Sequence, residues 1–189
     1  MSSLLKEVQM QLKAKGDEAK ITSIKKIIPY AQEVYGVKNP VLNEMAKGFK
    51  QGGFELVEEL WQSGAFEEQL LAAKMLGRIC KSDPHRSLKL VKLFSKGISN
   101  WAVCDTLGMQ SLKPIMKNCT EEIFTIAESL NHSSNLWQRR LSLVLVEYFT
   151  RDKKYHPRIQ KLIRSLENDE EYYVKKAVVW IKRNFQKGR

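Results

Sequence analysis

Residues that form turns and cross-links are scarce in this 189-residue chain, which has 5 prolines, 10 glycines and 3 cysteines. So few turn-forming residues argue against a loop-rich or all-β protein. The cysteines are odd in number and include no C-x-x-C pair, which argues against a disulfide framework and a zinc knuckle. We therefore expect a fold held together by its apolar core alone.

Long apolar runs are also missing. No uncharged apolar run approaches the roughly 18 residues that a membrane-spanning helix needs, so we expect no membrane segment. Lys6 and Glu7 stand where a secretory signal has its apolar core. The sequence therefore predicts a cytoplasmic protein.

Motifs for common cofactors are absent as well. The three histidines lie far apart without H-E-x-x-H spacing, and no G-x-G-x-x-G, G-x-x-x-x-G-K-[ST] or G-x-S-x-G sequence occurs. The sequence therefore lacks the motifs that usually indicate a metal, dinucleotide, nucleotide or serine-hydrolase site. We expect neither a metal nor another cofactor.

Positive charge, in contrast, is abundant, with 32 Lys and Arg against 21 Asp and Glu and a net charge of +11. Residues 72–118 hold nine Lys and Arg and two Asp, whereas residues 54–70 hold five Glu and no Lys or Arg. Such segregation favours a docking surface for nucleic acid. The alternative is solubilising charge without a target.

Apolar residues recur with a period near 3.6 along almost the whole chain, which predicts about eleven helices. Asn39 is expected as the N-cap of one helix with Pro40 at its first position, and residues 101–116 and 136–149 as single helices. Similar apolar segments at 71–76, 140–145 and 176–181 begin 69 and 36 residues apart, which indicates a helical repeat of roughly 35–40 residues. We expect an all-α, HEAT-like helical-repeat solenoid in one domain, residues 1–189, with a basic concave face. A plain helical bundle is the alternative.

The helix that starts at Tyr172 has two side-chain stripes. Its apolar stripe consists of Val174, Ala177, Val178, Ile181 and Phe185. Its second stripe combines aromatic and basic residues, namely Tyr173, Lys176, Trp180 and Arg183. Such a mixture suits phosphate contacts and stacking on a base or sugar, which predicts DNA binding. Alternatively, Trp180 covers a neighbouring helix and the cations are solvated.

Trp101 and Asp105 are spaced i, i+4 and share a helix face, where they could stabilise a developing positive charge. The alternative is a buried Trp beside a surface Asp. Arg140 lies at the edge of an apolar stripe, with Glu147 or a phosphate as its expected partner. A solvated face is expected for four cations of another helix, Arg86, Lys89, Lys92 and Lys96.

Four short motifs follow one another along the chain: Tyr35-Gly-Val-Lys-x-Pro40, Asn100-Trp101-x-x-x-Asp105, Asn135-Leu-Trp137-x-x-Arg140 and Tyr172-Tyr-Val-Lys-Lys176-Ala-x-x-Trp180. Between them lie Leu60-Trp61 and Glu67-Glu68-x-x-Leu71-Ala-Ala. Together, over roughly residues 24–186, they resemble the AlkD-type DNA alkylation-repair glycosylases, which are built of HEAT-like repeats.

The resemblance implies a role for individual residues. Trp101 and Asp105 would face the damaged nucleotide, and Trp180 would line the same cleft. Arg140, and not Arg139, would contact DNA near the lesion. The implied activity is excision of N-alkylated purines such as 3-methyladenine and 7-methylguanine, without a metal and without fully burying a flipped base.

The sequence departs from that family in two places. Ile27 stands where the family's N-terminal helix commonly supplies a Tyr to the cleft, with Tyr30 as the alternative. The sequence also ends nine residues after Trp180, where relatives continue for one or two helices. A shorter solenoid is expected to grip less duplex.

These observations together predict a monofunctional alkylpurine DNA glycosylase. Asp105, Trp101 and Trp180 are its expected catalytic residues, and its expected DNA-binding residues are Arg140, Lys176, Arg183 and Tyr173. The expected partner is duplex DNA carrying alkylated bases. The chain is expected to be a monomer, and to associate with the nucleoid when it is bound to DNA. A non-catalytic HEAT-like DNA-binding protein is the first alternative. A protein–protein adaptor, whose groove would be acidic or apolar, is the second.

Overall fold

Helices form the regular structure of the chain. The computed structural model describes residues 2–31 and 33–186, which contain eleven α-helices and no β-strand. The α-helices are α1 Ser3–Ala14, α2 Glu18–Ile27, α3 Asn39–Gly48, α4 Gly53–Gln62, α5 Phe66–Ile79, α6 Pro84–Phe94, α7 Trp101–Gln110, α8 Thr120–Asn131, α9 Leu136–Val146, α10 His156–Ser165 and α11 Tyr172–Gln186. Short 3-10 turns occur at Lys50–Gly52, Ser95–Gly97, Lys113–Ile115, Glu147–Arg151 and Lys153–Tyr155. The all-α prediction is confirmed.

Helix ends follow local signals, with three differences from the predicted bounds. Asn39 is the first residue of α3 and not its N-cap, which is Lys38. The helix predicted at 101–116 ends at Gln110, and a 3-10 turn with Pro114 follows, because proline has no N–H for the α-helical ladder. The helix predicted at 136–149 ends at Val146 and continues as a 3-10 turn.

The helices form two layers. In the first, here called the odd-helix layer, α3, α5, α7, α9 and α11 pack successively against one another. On the other side, α4 packs on α5, α8 packs on α9, and α6 and α10 both contact α8. Helices α5, α7, α9 and α11 start at residues 66, 101, 136 and 172, a spacing of 35 or 36 residues. This regular stacking of helix pairs is consistent with a helical-repeat solenoid, and the similar segments at 71–76, 140–145 and 176–181 all lie in the odd-helix layer.

Glycines allow close approach within the odd-helix layer. A Cβ at Gly77 of α5 would lie 2.3 Å from the carbonyl oxygen of Gln110 in α7. A Cβ at Gly108 of α7 would lie 2.6 Å from Val144 Cγ1 in α9. Neighbouring helices of this layer can therefore pack more closely than larger residues at these positions would allow.

The acidic segment at residues 54–70 has partners inside the chain. Glu55 and Glu58 accept hydrogen bonds from Arg86 at 3.0 and 2.7 Å, which ties α4 to α6. Glu59 accepts hydrogen bonds from Ser2. Glu67 is buried. Internal contacts thus engage these glutamates. Arg86 lies on a partly exposed face, as expected, but it is paired with two glutamates and is not a free cation.

Each helix in the described part of the chain is too short or too polar to span a lipid bilayer. The buried apolar side chains from α1 to α11 form one continuous core cluster. All three cysteines are buried and free.

Candidate active site

An apolar cleft of about 360 Å³ opens between α2, α3, α5 and α7. Its lining residues are Lys20, Ile24, Ile27, Ile28, Val37, Asn39, Leu42, Phe66, Leu70, Trp101, Ala102, Asp105 and Thr106. Asp105 is the one carboxylate among these lining residues. A charged group on a mostly apolar wall acts in a low-dielectric setting, where electrostatic interactions are stronger than in bulk water.

A buried carboxylate holds one wall of the cleft. The Glu67 carboxylate, in the first turn of α5, accepts hydrogen bonds from three consecutive backbone N–H groups of residues 35–37, at 2.9, 2.8 and 3.1 Å. Glu68 accepts a hydrogen bond from the Tyr35 hydroxyl at 2.6 Å. Burial and the neighbouring Glu68 raise the pKa of Tyr35. These contacts connect two of the sequence motifs, because Glu67-Glu68 anchors the loop that Tyr35-Gly36-Val37 forms.

Gly36 is required at the centre of that loop. Its φ of 79° lies in the left-handed region, and a Cβ there would lie 2.3 Å from the carbonyl oxygen of Asp17. The loop therefore packs directly against the start of α2, whose later residues Ile24 and Ile27 line the cleft.

Asparagine N-caps determine where the two helices that carry the motif tryptophans begin. Asn100 Oδ1 accepts a hydrogen bond from the Val103 N–H at 3.0 Å and so starts α7. Asn135 Oδ1 accepts one from the Trp137 N–H at 2.8 Å at the start of α9. Trp101 consequently lies in the first turn of α7, one turn before Asp105, and both line the cleft.

Arg140 binds Asp105 through two parallel hydrogen bonds. Arg140 Nε donates to Asp105 Oδ1 and Nη2 donates to Oδ2, both at 2.9 Å. Arg140 Nη1 donates to the carbonyl oxygen of Tyr173 at 2.7 Å. The predicted Arg140–Glu147 pair is wrong, because Glu147 accepts a hydrogen bond from Asn184 instead. One guanidinium thus connects α7, α9 and the start of α11.

The Asp105–Arg140 pair is unequally exposed, with 29% of the Asp105 side chain and 10% of the Arg140 side chain accessible. Burial disfavours the charged guanidinium, but the hydrogen bonds and charge of Asp105 outweigh it and raise the pKa of Arg140. Arg140 therefore lies behind Asp105, while the carboxylate reaches the cleft.

The predicted residues of α11 lie outside this cleft. Val174, Ala177, Val178 and Ile181 are buried, as predicted for the apolar stripe. In the second stripe, the Tyr173 ring packs on Trp137 with centroids 4.9 Å apart, and Lys176 Nζ lies 5.3 Å from the centre of the Tyr172 ring. Trp180 is half-buried against the core, and Arg183 is exposed. None of these stripe residues lines the Asp105 cleft.

Several lining residues were not predicted. Lys20, Phe66, Leu70 and Thr106 come from three different helices, and no single helix periodicity brings them together. Ile27 does line the cleft and is 60% exposed, whereas Tyr30 is 83% exposed and does not line it. Both segments, Tyr35-Gly36-Val37 and Glu67-Glu68, were noted as motifs in the sequence, but the contact between them is seen only in the structure.

A comparison with curated proteins finds no match. The sequence matches the family of DNA alkylation repair enzymes over residues 8–188, a range that includes the cleft and the Asp105–Arg140 pair. This match confirms the resemblance noted in the sequence and supports an enzymatic role in DNA repair. The chain belongs to the family of DNA alkylation repair enzymes.

Proposed function

We propose that the protein is a monofunctional DNA glycosylase that excises N-alkylated, cationic purines such as 3-methyladenine and 7-methylguanine from duplex DNA. The observation that carries the proposal is Asp105. It is the one carboxylate of the cleft lining, beside the Trp101 indole, and Arg140 holds both of its oxygens.

The chemistry needs few groups. An N3- or N7-alkylated purine is cationic, so its glycosidic bond is already weak. When the C1′–N bond breaks, its electron pair goes to the purine, which leaves as a neutral base. The sugar is left with oxocarbenium-like charge, water adds to C1′, and the water's proton is lost to solvent. Because the leaving base is neutral, no general acid is required.

Asp105 is suited to oppose the charge that develops on the sugar. Each carboxylate oxygen has two lone pairs, and Arg140 occupies one on each oxygen, so both oxygens can still face the cleft. The double hydrogen bond fixes the direction of the carboxylate before substrate arrives. A preorganised charge of this kind lowers the barrier without reorganising during the reaction.

Aromatic residues are proposed to attract the cationic nucleoside. The Trp101 indole at the same cleft attracts a cationic nucleoside through its ring face, by about 1–2 kcal/mol. Trp180, on the next-but-one helix of the odd-helix layer, is proposed to meet the same nucleotide from the far side. Both interactions exist before and during bond cleavage.

We further propose that the odd-helix layer is the basic, concave DNA-binding face of a HEAT-like solenoid, acting as a single domain and a monomer in the cytoplasm. On α11, Lys176 and Arg183 would contact phosphates, and Tyr173 would stack beside them. Arg140 is proposed to act on DNA through Asp105, since three of its nitrogens already donate to protein oxygens.

The test is release of free base. Methylated duplex DNA is incubated with the protein, and both free 7-methylguanine and the remaining strand are analysed. The proposal predicts free alkylated purine together with an intact strand that carries an abasic site. Binding of duplex DNA without any release of base would contradict it and favour the non-catalytic alternative, in which the Asp105–Arg140 pair only ties α7 to α9.

A further inference from the structure

Two cations that have no carboxylate partner among the described residues follow the cleft along α5. Leu70 lines the cleft, and Lys74 and Arg78 come four and eight residues later on the same helix face. Lys74 Nζ donates to Asn43 Oδ1 at 2.8 Å and to Gln110 Oε1 at 3.2 Å. Arg78 Nη2 donates to the backbone carbonyl of Asn43 at 3.0 Å.

The partners of these cations continue the cleft on both neighbouring helices. Asn43 lies four residues after the cleft residue Asn39 on α3. Gln110 lies four residues after the cleft residue Thr106 on α7. Each of three adjacent helices of the odd-helix layer therefore contributes its next turn to one polar site beside the cleft.

The site carries two positive charges, and neither forms an ion pair within the part of the chain that the structure describes. The hydrogen-bond acceptors of Lys74 and Arg78 among the described residues are all neutral amide or carbonyl oxygens. Burial, followed by the charge of Arg78, lowers the pKa of Lys74. Buried charges in proteins are usually paired, because an unpaired one is costly. An anion from outside the chain would remove this cost.

We propose that Lys74 and Arg78 bind a backbone phosphate of duplex DNA a few nucleotides along the strand from the damaged one. This proposal rests on the proposed function for the identity of the anion. Four to eight residues of helix correspond to about 6–12 Å, and bases in one strand rise by about 3.4 Å. The bound phosphate therefore lies about two to four nucleotides from the one in the cleft.

Arg78 is the more direct contact. It is exposed, and its Nε and Nη1 donate to no described residue, so they are free for a phosphate. Lys74 is 6% exposed and contributes mainly its charge. The bond to Asn43 fixes the guanidinium in advance, which reduces the entropy lost on binding.

The experiment measures affinity for a short undamaged duplex over a salt series. Arg78→Gln and Lys74→Met each remove one charge, and Lys89→Gln on α6 removes one from an exposed position outside the odd-helix layer. The first two variants are expected to bind about eightfold more weakly at 0.1 M salt. Their negative slope of log K against log[salt] is expected to be less steep by about 0.9. Lys89→Gln is expected to match wild type, and Arg78→Lys to keep the slope.

The outcomes separate this site from the catalytic proposal. If wild type excises 7-methylguanine but Arg78→Gln and Lys74→Met bind like Lys89→Gln, the phosphate site is overturned and the glycosylase stands. If both variants lose affinity and slope while wild type releases no base, the phosphate site stands and the catalytic proposal is overturned. Arg78 is exposed, so Arg78→Gln remains informative even if Lys74→Met destabilises the fold.

Discussion

Two consecutive arginines on α9 hold two different carboxylates. Arg139 Nε donates to Asp169 Oδ2 at 2.6 Å, in the segment before α11, whereas Arg140 donates to Asp105 on α7. Neighbouring residues on a helix point about 100° apart, so one pair ties α9 to the next repeat and the other ties it to the previous one. Only the Asp105 pair reaches the cleft.

Arg140→Lys tests whether Arg140 positions Asp105. An ammonium is a point charge and cannot reproduce two parallel hydrogen bonds, so the carboxylate loses its fixed direction. We expect single-turnover excision to fall by about tenfold or more, while the salt slope of DNA binding stays unchanged. A slope reduced by about 0.9 with an unchanged excision rate at saturation would show instead that Arg140 contacts a phosphate.

Asp169 gives a prediction for acid stability. Burial would raise its pKa, but hydrogen bonds from Arg139 and from the Glu171 N–H lower it overall. A lowered folded-state pKa gives stability above the unfolded value of about 3.9 that is lost as pH falls through the folded value. We expect Asp169→Asn to be less stable than wild type at pH 7 by about 1–3 kcal/mol. Urea unfolding should show this difference shrinking below about pH 4; a constant difference down to pH 2 would contradict the assignment.

The sequence predicted individual site residues better than their partners. Trp101 and Asp105 share one helix face, so their spacing alone brought them together. Asp105 and Arg140 are 35 residues apart, and only stacking of consecutive repeats brings their side chains into contact. The buried role of Glu67 was missed for the same reason, since its partners at residues 35–37 belong to an earlier loop.

At the scale of helices, the approach of α7 to α9 determines whether the Asp105–Arg140 pair can form. Gly108 and Val144 meet at this crossing, and Val144 is 1% exposed. Periodicity was enough to predict which segments are helical, but not where α7 ends. Apolar residues continue after Gln110, so the sequence still resembles a helix there, until Pro114 interrupts the backbone hydrogen bonds.

Gly108→Ala tests this crossing. Alanine would favour the helix by up to about 1 kcal/mol, but its Cβ would lie 2.6 Å from a rigid buried side chain. We expect a net destabilisation of about 1–3 kcal/mol in urea unfolding. The double variant Gly108→Ala/Val144→Ala should lose less unfolding free energy than the sum of the losses in the two single variants, by at least about 1 kcal/mol. Strict additivity would show that the two residues do not control the spacing.

Across the chain, the excess of basic residues is the main feature of the sequence that indicates DNA as the partner. All five glutamates at 54–70 accept hydrogen bonds within the chain, and Glu67 and Glu68 are also buried, so part of the acidic segment is structural. The net charge of +11 could be counted from the sequence, but which cations are paired could not. That depended on contacts such as Arg86 with Glu58 and Arg158 with Glu128, each between helices of different repeats.

Duplex binding should depend steeply on salt. With about four to six phosphate contacts, log K against log[salt] is expected to slope at about −4 to −5. Fluorescence anisotropy with a labelled undamaged duplex measures this slope. A flat salt dependence, or tighter binding to an acidic protein than to duplex DNA, would show that the basic residues do not form a nucleic-acid-binding surface.

Asp105 is proposed to stabilise the positive charge that develops on the sugar as the base leaves, and single-turnover excision of 7-methylguanine by Asp105→Asn measures that contribution. Asp169→Asn is the matched control, because it also removes a carboxylate from an arginine of α9 but lies outside the cleft. With both variants confirmed as folded, we expect Asp105→Asn to lower the rate by roughly 10²-fold or more and to leave duplex affinity nearly unchanged. Asp169→Asn should keep the wild-type rate. Excision by Asp105→Asn at the wild-type rate would contradict the claim.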